Sequence, residues 1–230
     1  GNVGIGTTGP NHKLDVNGTA RITGVLTVAT ISNGTSFTLP TSDGQSGQVL
    51  KTDGSGTLSW VYMGNVGGAS TALGNSYTLS SNTTGHSNIA IGNSALQRNT
   101  SGQHNVSVGL STLVYNTTGM LNTACGNRSL ASNTEGSYSS AFGYESLYKS
   151  TTGQKNAAFG HKALYDNTTG SNNTVLGYNA GYGSNGITEG SNNVIIGSNA
   201  NASSTNSQNQ IVIGTNAGGL GNNYAVIGNS

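Results

Sequence analysis

The sequence predicts an all-β protein whose larger part is a parallel β-roll, a solenoid of short strands stacked along one axis. Three observations carry that expectation. A 17-residue unit recurs five times over residues 89–173, as IAIGNSALQRNTSGQHN, VSVGLSTLVYNTTGMLN, TACGNRSLASNTEGSYS, SAFGYESLYKSTTGQKN and AAFGHKALYDNTTGSNN. Strict self-similarity at a short period is the signature of stacked, near-identical supersecondary units. Only 33% of the 230 residues are hydrophobic and 37 are glycine, too little oily surface for a thick globular core. Finally, the apolar run in each unit is about three residues long, far short of a helix.

Disorder is the usual fate of so polar a chain, but disordered segments tend to be charged or rich in proline. Here 7% of residues are charged, two are proline, and the apolar residues keep register. Order through stacking is the better reading.

Residues 1–63 read as a β-rich shaft or collar. Lys13–Val16 precedes Asn17-Gly18, a strong hairpin signal, and Thr19–Thr23 follows it. Val25–Val28 alternates like a half-buried strand, and Ser36–Leu39 is a strand halted by Pro40. Gln48–Thr52 and Thr57–Tyr62 flank the loop Asp53-Gly-Ser-Gly56, which predicts a second hairpin carrying Trp60.

Residues 64–230 form the repeat segment. Ala72-Leu-Gly74 reads as a degenerate first copy, and the five regular copies follow. Thr174–Asn193 is a stretched copy, Val194–Gln210 returns to the regular length, Ile211–Tyr224 is shortened, and Ala225 begins another. Length changes that keep the frame on both sides belong in loops of a solenoid.

Within each copy, position 4 is glycine at Gly92, Gly109, Gly126, Gly143 and Gly160, and again at Gly177. Position 8 is Leu96, Leu113, Leu130, Leu147 and Leu164. Position 3 is always apolar, from Ile91 and Val108 through Cys125, Phe142 and Phe159 to Ile227, whereas position 2 is small or β-branched. The expected coil is a short strand, a bend at the glycine, a second short strand ending near the leucine, and an Asn-Thr-Thr-Gly corner. Positions 3 and 8 are assigned to the core, and Cys125 with them.

Two large apolar side chains per coil are worth roughly 1.5–3 kcal/mol each when buried. Ordering each backbone residue costs on the order of 1–2 kcal/mol. One chain therefore looks underfilled, and several chains around a shared axis would enlarge the core. The arithmetic asks for an oligomer without fixing its number.

The copies Ile89–Leu96 and Ala157–Leu164 resemble the head repeats of YadA-like trimeric autotransporter adhesins. That resemblance implies a rod-like homotrimer of left-handed parallel β-rolls. The family unit is shorter than the regular copy, and here only Ile211–Tyr224 has its length. The opening Gly1–Pro10, Leu14–Ala20 and Ser46–Trp60 resemble segments of phage tail fibres, which often precede an endosialidase-type intramolecular chaperone. The function implied is a structural and adhesive fibre segment, in a phage tail fibre or similar appendage that attaches to a cell surface. It would be located in the virion or outside the cell, and would meet a glycan or protein receptor. A bacterial trimeric adhesin or extracellular filament is the alternative. The chain starts without Met and stops inside a new repeat, so it reads as a fragment with further fibre segments at both ends.

Other classes find less support. Net charge is +1 and the eight basic residues are scattered, which leaves no footprint for nucleic acid. No apolar run approaches the roughly 20 residues needed to cross a bilayer. Gly1–Gly6 has neither the basic nor the apolar part of a signal peptide. Glu135, Glu145 and Asp166 fall at different repeat positions, so the period places no acid pair for glycoside hydrolysis, and no enzyme is expected. His86, His104 and His161 form no ligand pattern, and no metal or cofactor is expected. Stacked Thr-Thr pairs suggest an ice-binding row, but Ser101 and Glu135 interrupt it. Tyrosines and lysines thicken in the middle copies, at Tyr138, Tyr144, Tyr148, Tyr165, Tyr178 and Tyr182 with Lys149, Lys155 and Lys162, and the binding candidates there are Tyr144, Tyr148, Lys155, His161, Lys162, Tyr165 and Tyr178. Rings with a polar handle suit sugar or protein surfaces.

Overall fold

The computed structural model describes residues 3–9, 14–16, 31–32, 36–37, 48–52, 55, 57–62, 70–74 and 77–228. The chain divides into two compact units, Gly1–Tyr62 and Met63–Ser230.

In the first unit, β1 (Val3–Ile5) and β2 (Leu14–Val16) pair in parallel. The chain Asn17–Val28, where the first hairpin and the alternating strand were expected, lies outside the described residues. Strands β3 (Ile31–Ser32) and β4 (Ser36–Phe37) pair antiparallel. The second expected hairpin has its two strands paired antiparallel, β5 (Gln48–Thr52) and β6 (Leu58–Tyr62), with Leu50 opposite Trp60.

The second unit is a β-solenoid. Its strands are β7 (Thr71–Leu73), β8 (Ile89–Ile91), β9 (Val106–Val108), β10 (Thr123–Cys125), β11 (Ser140–Phe142), β12 (Ala157–Phe159), β13 (Thr174–Leu176), β14 (Val194–Ile196), β15 (Ile211–Ile213) and β16 (Ala225–Ile227). They form one ten-stranded sheet in sequential order, parallel throughout. Every described strand step preserves the register of the repeat, so Ala124 pairs with Ala141 and Cys125 with Phe142. The stretched copy takes up its extra length at a tight turn, where the Gly186 N–H donates to the Gly183 carbonyl at 2.7 Å.

Two expectations about the coil are corrected. The second short strand is absent, because the residues that would form it adopt left-handed backbone: Ser94 and Leu96 have φ of 58° and 51°, and their equivalents in the next copies match. An extended strand cannot pass through such residues. The glycine before them is also left-handed, with φ of 132° at Gly109, and a Cβ there would sit 2.7 Å from the carbonyl oxygen of Gly126 in the next coil. Position 4 is glycine for both reasons.

The second correction concerns the core. Position 8 faces inward as expected, and Leu96, Leu113, Leu130, Leu147 and Leu164 are fully buried. Position 3 does not. Phe142 is 36% exposed, Leu176 49% and Ile227 80%, and Cys125 is half-buried. The inward residue of each strand is its middle one, at Ala90, Ser107, Ala124, Ala141 and Ala158. A three-residue strand shows one face with its centre and the other with both ends. The coil interior is thin, so the centre is small and the bulky ends point out.

Where the leucine lapses, the centre grows. Position 8 becomes Gly181 in the stretched copy, and position 2 becomes Val175 there, then Ile195 and Val212. Gly181 sits against Leu164 and Val175, so the larger strand residue fills the space the leucine leaves.

Asparagines complete the interior in two columns. In the first, each backbone N–H donates to the side-chain oxygen one coil below: Asn105 to Asn88, Asn122 to Asn105, and Ser139 to Asn122, all at 2.9–3.0 Å. In the second, Nδ2 of Asn99, Asn116 and Asn133 donates to the Oδ1 below at 2.7–2.8 Å, and each also donates to the corner glycine carbonyl. Buried amides are thus satisfied by repetition along the axis, except where the second column breaks, at the Oδ1 atoms of Asn133 and Asn167.

Candidate functional site

Two features of the solenoid surface stand apart from its polar background. The first is a stripe made by the first and third residues of the strands. The stripe runs along the sheet through Ile89 and Ile91, Val106 and Val108, Phe142 and Phe159, Leu176, Ile211 and Ile227. Strict register stacks like on like, and the Phe142 and Phe159 rings lie parallel with centroids 4.9 Å apart. A parallel sheet is ordinarily covered on both faces. Here the leucine corner covers one face, and the apolar ends of the strands stand on the other.

The second feature is a flank of ring and charge columns at positions 5, 6, 9 and 10, three coils deep with Arg128 added from the coil before. At position 5, Tyr144, His161 and Tyr178 form a column with centroids 5.1 and 5.0 Å apart and near-parallel rings. At position 9, Tyr148 stacks on Tyr165 at 5.1 Å, and Tyr182 meets Tyr165 edge-on. Ring columns at this pitch follow from strand spacing of about 4.8 Å in the stacking direction. Within a column the facing rings cover one another, so an inner ring presents its rim to solvent and an end ring keeps one face uncovered.

The charges of this flank are paired in the same columns. At position 6 the Glu145 carboxylate, its side chain 9% exposed, lies between Arg128 at 3.6 Å and Lys162 at 3.7 Å. At position 10 the Lys149 ammonium donates to Asp166 Oδ1 at 2.9 Å, and Asp166 Oδ2 accepts the Gly183 N–H at 3.1 Å. The bond from Lys149 to Asp166, more than the accompanying charge, raises the Lys149 pKa above its ordinary 10.5. Lys149 and Lys162 both lie over the Tyr165 ring, at 5.3 and 5.4 Å from its centroid, and Lys162 is also 5.4 Å from that of Tyr182. Burial chiefly, and then the Glu145 charge, raise the Tyr165 phenol above its ordinary value.

Of the residues singled out in the sequence, the structure brings Tyr144, His161 and Tyr178 into one ring column, and Tyr148, Lys162 and Tyr165 into another grouping of the same coils. Lys155 is apart from them. It is exposed at the position-16 corner, where its φ is 56°, and forms no ion pair with a described residue. Tyr182 and Lys149, part of the same thickening but not chosen as candidates, join the columns, and sequence reasoning missed the pairing of Lys149 with Asp166. The signal was present in each case: the partners sit one repeat apart.

Glu145 and Asp166, the carboxylates weighed as catalytic, are each held by cations, whereas Glu135 is exposed. Among the described residues no group of three or more His, Cys, Asp or Glu side chains is placed to hold a metal ion. The first threonine of each corner pair turns its hydroxyl along the stack, as when Thr117 donates to the Thr134 carbonyl at 3.0 Å, so that hydroxyl is engaged in the coil itself. No described helix is long and apolar enough to cross a membrane.

No protein-family model matches the chain, and neither a curated protein nor a solved structure is detectably similar to it.

Proposed function

We propose that the chain is a structural and adhesive segment of a homotrimeric fibre, a phage tail fibre or comparable surface appendage, that attaches to a cell surface. The observation that carries this reading is the apolar stripe on the outer face of the parallel sheet. Aligned Ile, Val, Phe and Leu side chains along nine of the ten strands, broken only at Thr123 and Cys125 of β10, are not a surface that water covers favourably. The same stripe on another copy of the chain has the same pitch and the same chemistry, which makes a second and third copy its natural cover. The number three comes from the likeness to adhesin head repeats.

In such an assembly the stripes turn toward the shared axis, and the aromatic flank is available once per chain. Three copies on one fibre convert weak contacts into useful avidity. Threefold repetition thereby links stability and attachment.

The test compares the chain with a Phe142→Asp, Phe159→Asp double variant for retention on a panel of bacterial cell envelopes. The reading predicts that the variant loses assembly, and with it at least tenfold in retention. Equal retention by an unassembled chain, or no retention by the assembled one on any envelope, would count against an attachment role.

A further inference from the structure

We infer that the aromatic flank of the solenoid is a binding site for a neutral, hydroxyl-rich carbohydrate, with the Tyr178 ring as its stacking platform. The inference rests on the attachment role proposed above and gives it a ligand class and a place.

The first ground is which ring faces remain open. Within the position-5 column, His161 is stacked between Tyr144 and Tyr178, so both of its faces are taken. Tyr178 has His161 on one side only. On the other side the parallel register places Ser198, whose neighbour Asn199 donates its backbone N–H to the Tyr178 carbonyl at 2.8 Å. A serine side chain is too short to cover a phenol ring, and Tyr178 is 54% exposed. The column therefore ends in an open aromatic face with a hydroxyl beside it. A sugar ring needs both: an apolar face for its C–H groups, and polar neighbours for its hydroxyls.

The second ground is charge. The cations here lie in the coils before Tyr178, Lys149 against Asp166 and both Arg128 and Lys162 against the single Glu145 carboxylate, which leaves one net positive charge. The open face of Tyr178 looks the other way, onto coils that are uncharged here: positions 5 and 6 are Tyr178 and Asn179, then Ser198 and Asn199. Lys155, the one exposed cation of the middle copies outside these pairs, sits at a different corner of the coil. A polar partner without net charge is the complement of such a surface.

The third ground is rigidity. Rings locked in columns by strand register have little side-chain entropy left to lose on binding. The aromatic build-up is also local: position 5 is Asn127 in the coil before Tyr144 and Ser198 in the coil after Tyr178. The flank thus has definite ends, as a site does.

The experiment is a glycan array probed with the whole chain, carrying neutral hexose and N-acetylhexosamine oligosaccharides beside sialylated and uronate-bearing ones. Binding should fall on the neutral set. Tyr178→Ala should weaken it at least tenfold, with circular dichroism and solution mass unchanged, and Lys155→Ala should leave it within twofold. Confinement to acidic glycans, absence of binding to every neutral glycan, or indifference to Tyr178→Ala overturns the site. If mass and envelope retention persist in those outcomes, the attachment role survives without it; a monomer without retention removes that role itself.

Discussion

Asn133 and Ser150 occupy the same column one coil apart, and neither the Asn133 Oδ1 nor the Ser150 hydroxyl has a hydrogen-bond partner. In the coils below, the corresponding oxygen accepts from the next asparagine, as Asn116 Oδ1 does from Asn133 at 2.7 Å. Serine is too short to reach. Ser150→Asn should rejoin the column by donating to Asn133 and accepting from Asn167. At about 1 kcal/mol per bond, urea denaturation should show stabilisation of about 1–2 kcal/mol. A neutral or destabilising result would mean that the column contributes little.

Glycine at position 4 meets two demands, and substitution can separate them. Gly109→Ala forces a left-handed φ of 132° on alanine and sets its Cβ against the Gly126 carbonyl, so it should cost about 2–3 kcal/mol. Gly183→Ala, in the turn of the stretched copy, has φ of 102° but nothing within 4 Å of the new Cβ. Its cost should be the backbone term alone, about 1–2 kcal/mol. Denaturant midpoints of the two variants measure the difference.

Leu130 is fully buried although its φ is 50°, a conformation that disfavours any branched side chain. Burial must outweigh that strain. Leu130→Ala retains the strain, loses the contacts and should destabilise by about 2–5 kcal/mol. Leu130→Gly relieves the strain and should be less damaging than the usual penalty for glycine would suggest. A glycine variant much worse than alanine would contradict the assignment of strain to this position.

Alkaline pH should weaken the fold through two groups. Lys149 and Tyr165 both hold their protons more tightly in the folded chain than their ordinary values of 10.5 and 10.0. Their contribution is complete below those values and is lost as pH rises through the raised ones. Lys149 is half-exposed, so solvent screening keeps its share small. Stability measured against pH should therefore fall as pH rises above about 10. Asp166→Asn should remove the lysine part of the decline, and phenolate absorbance should report Tyr165.

The period, the glycines and the leucine column were legible because each recurs once per repeat. Which strand residue faces inward was not, since positions 2 and 3 are both apolar in many copies. The larger residue was assigned to the core, yet the coil is too thin to hold it. A clue was present in the repeats themselves: position 2 enlarges to Val175 and Ile195 where position 8 loses its leucine. A residue whose size answers another's is sharing a space with it. Left-handed backbone at leucine was invisible, because isolated leucine avoids that region and only the stack imposes it.

The flank was half legible. Tyr144, His161 and Tyr178 announce their column by spacing, and so do Arg128, Glu145 and Lys162. Taken one by one, Glu145 and Asp166 looked like carboxylates in search of a role. Aligned by repeat position, each stands beside a cation. Lys155 was grouped with the rings by proximity in sequence, but in a solenoid the repeat position decides which face a residue shares.

The outward apolar stripe is predicted to be an inner surface of an assembly. Light scattering of the chain at micromolar concentration, with circular dichroism on the same sample, tests that directly. A β-rich particle of three times the 23.1 kDa chain mass is predicted, reduced to one chain mass by Phe142→Asp with Phe159→Asp. A folded, soluble particle of 23.1 kDa from the unaltered chain would contradict it.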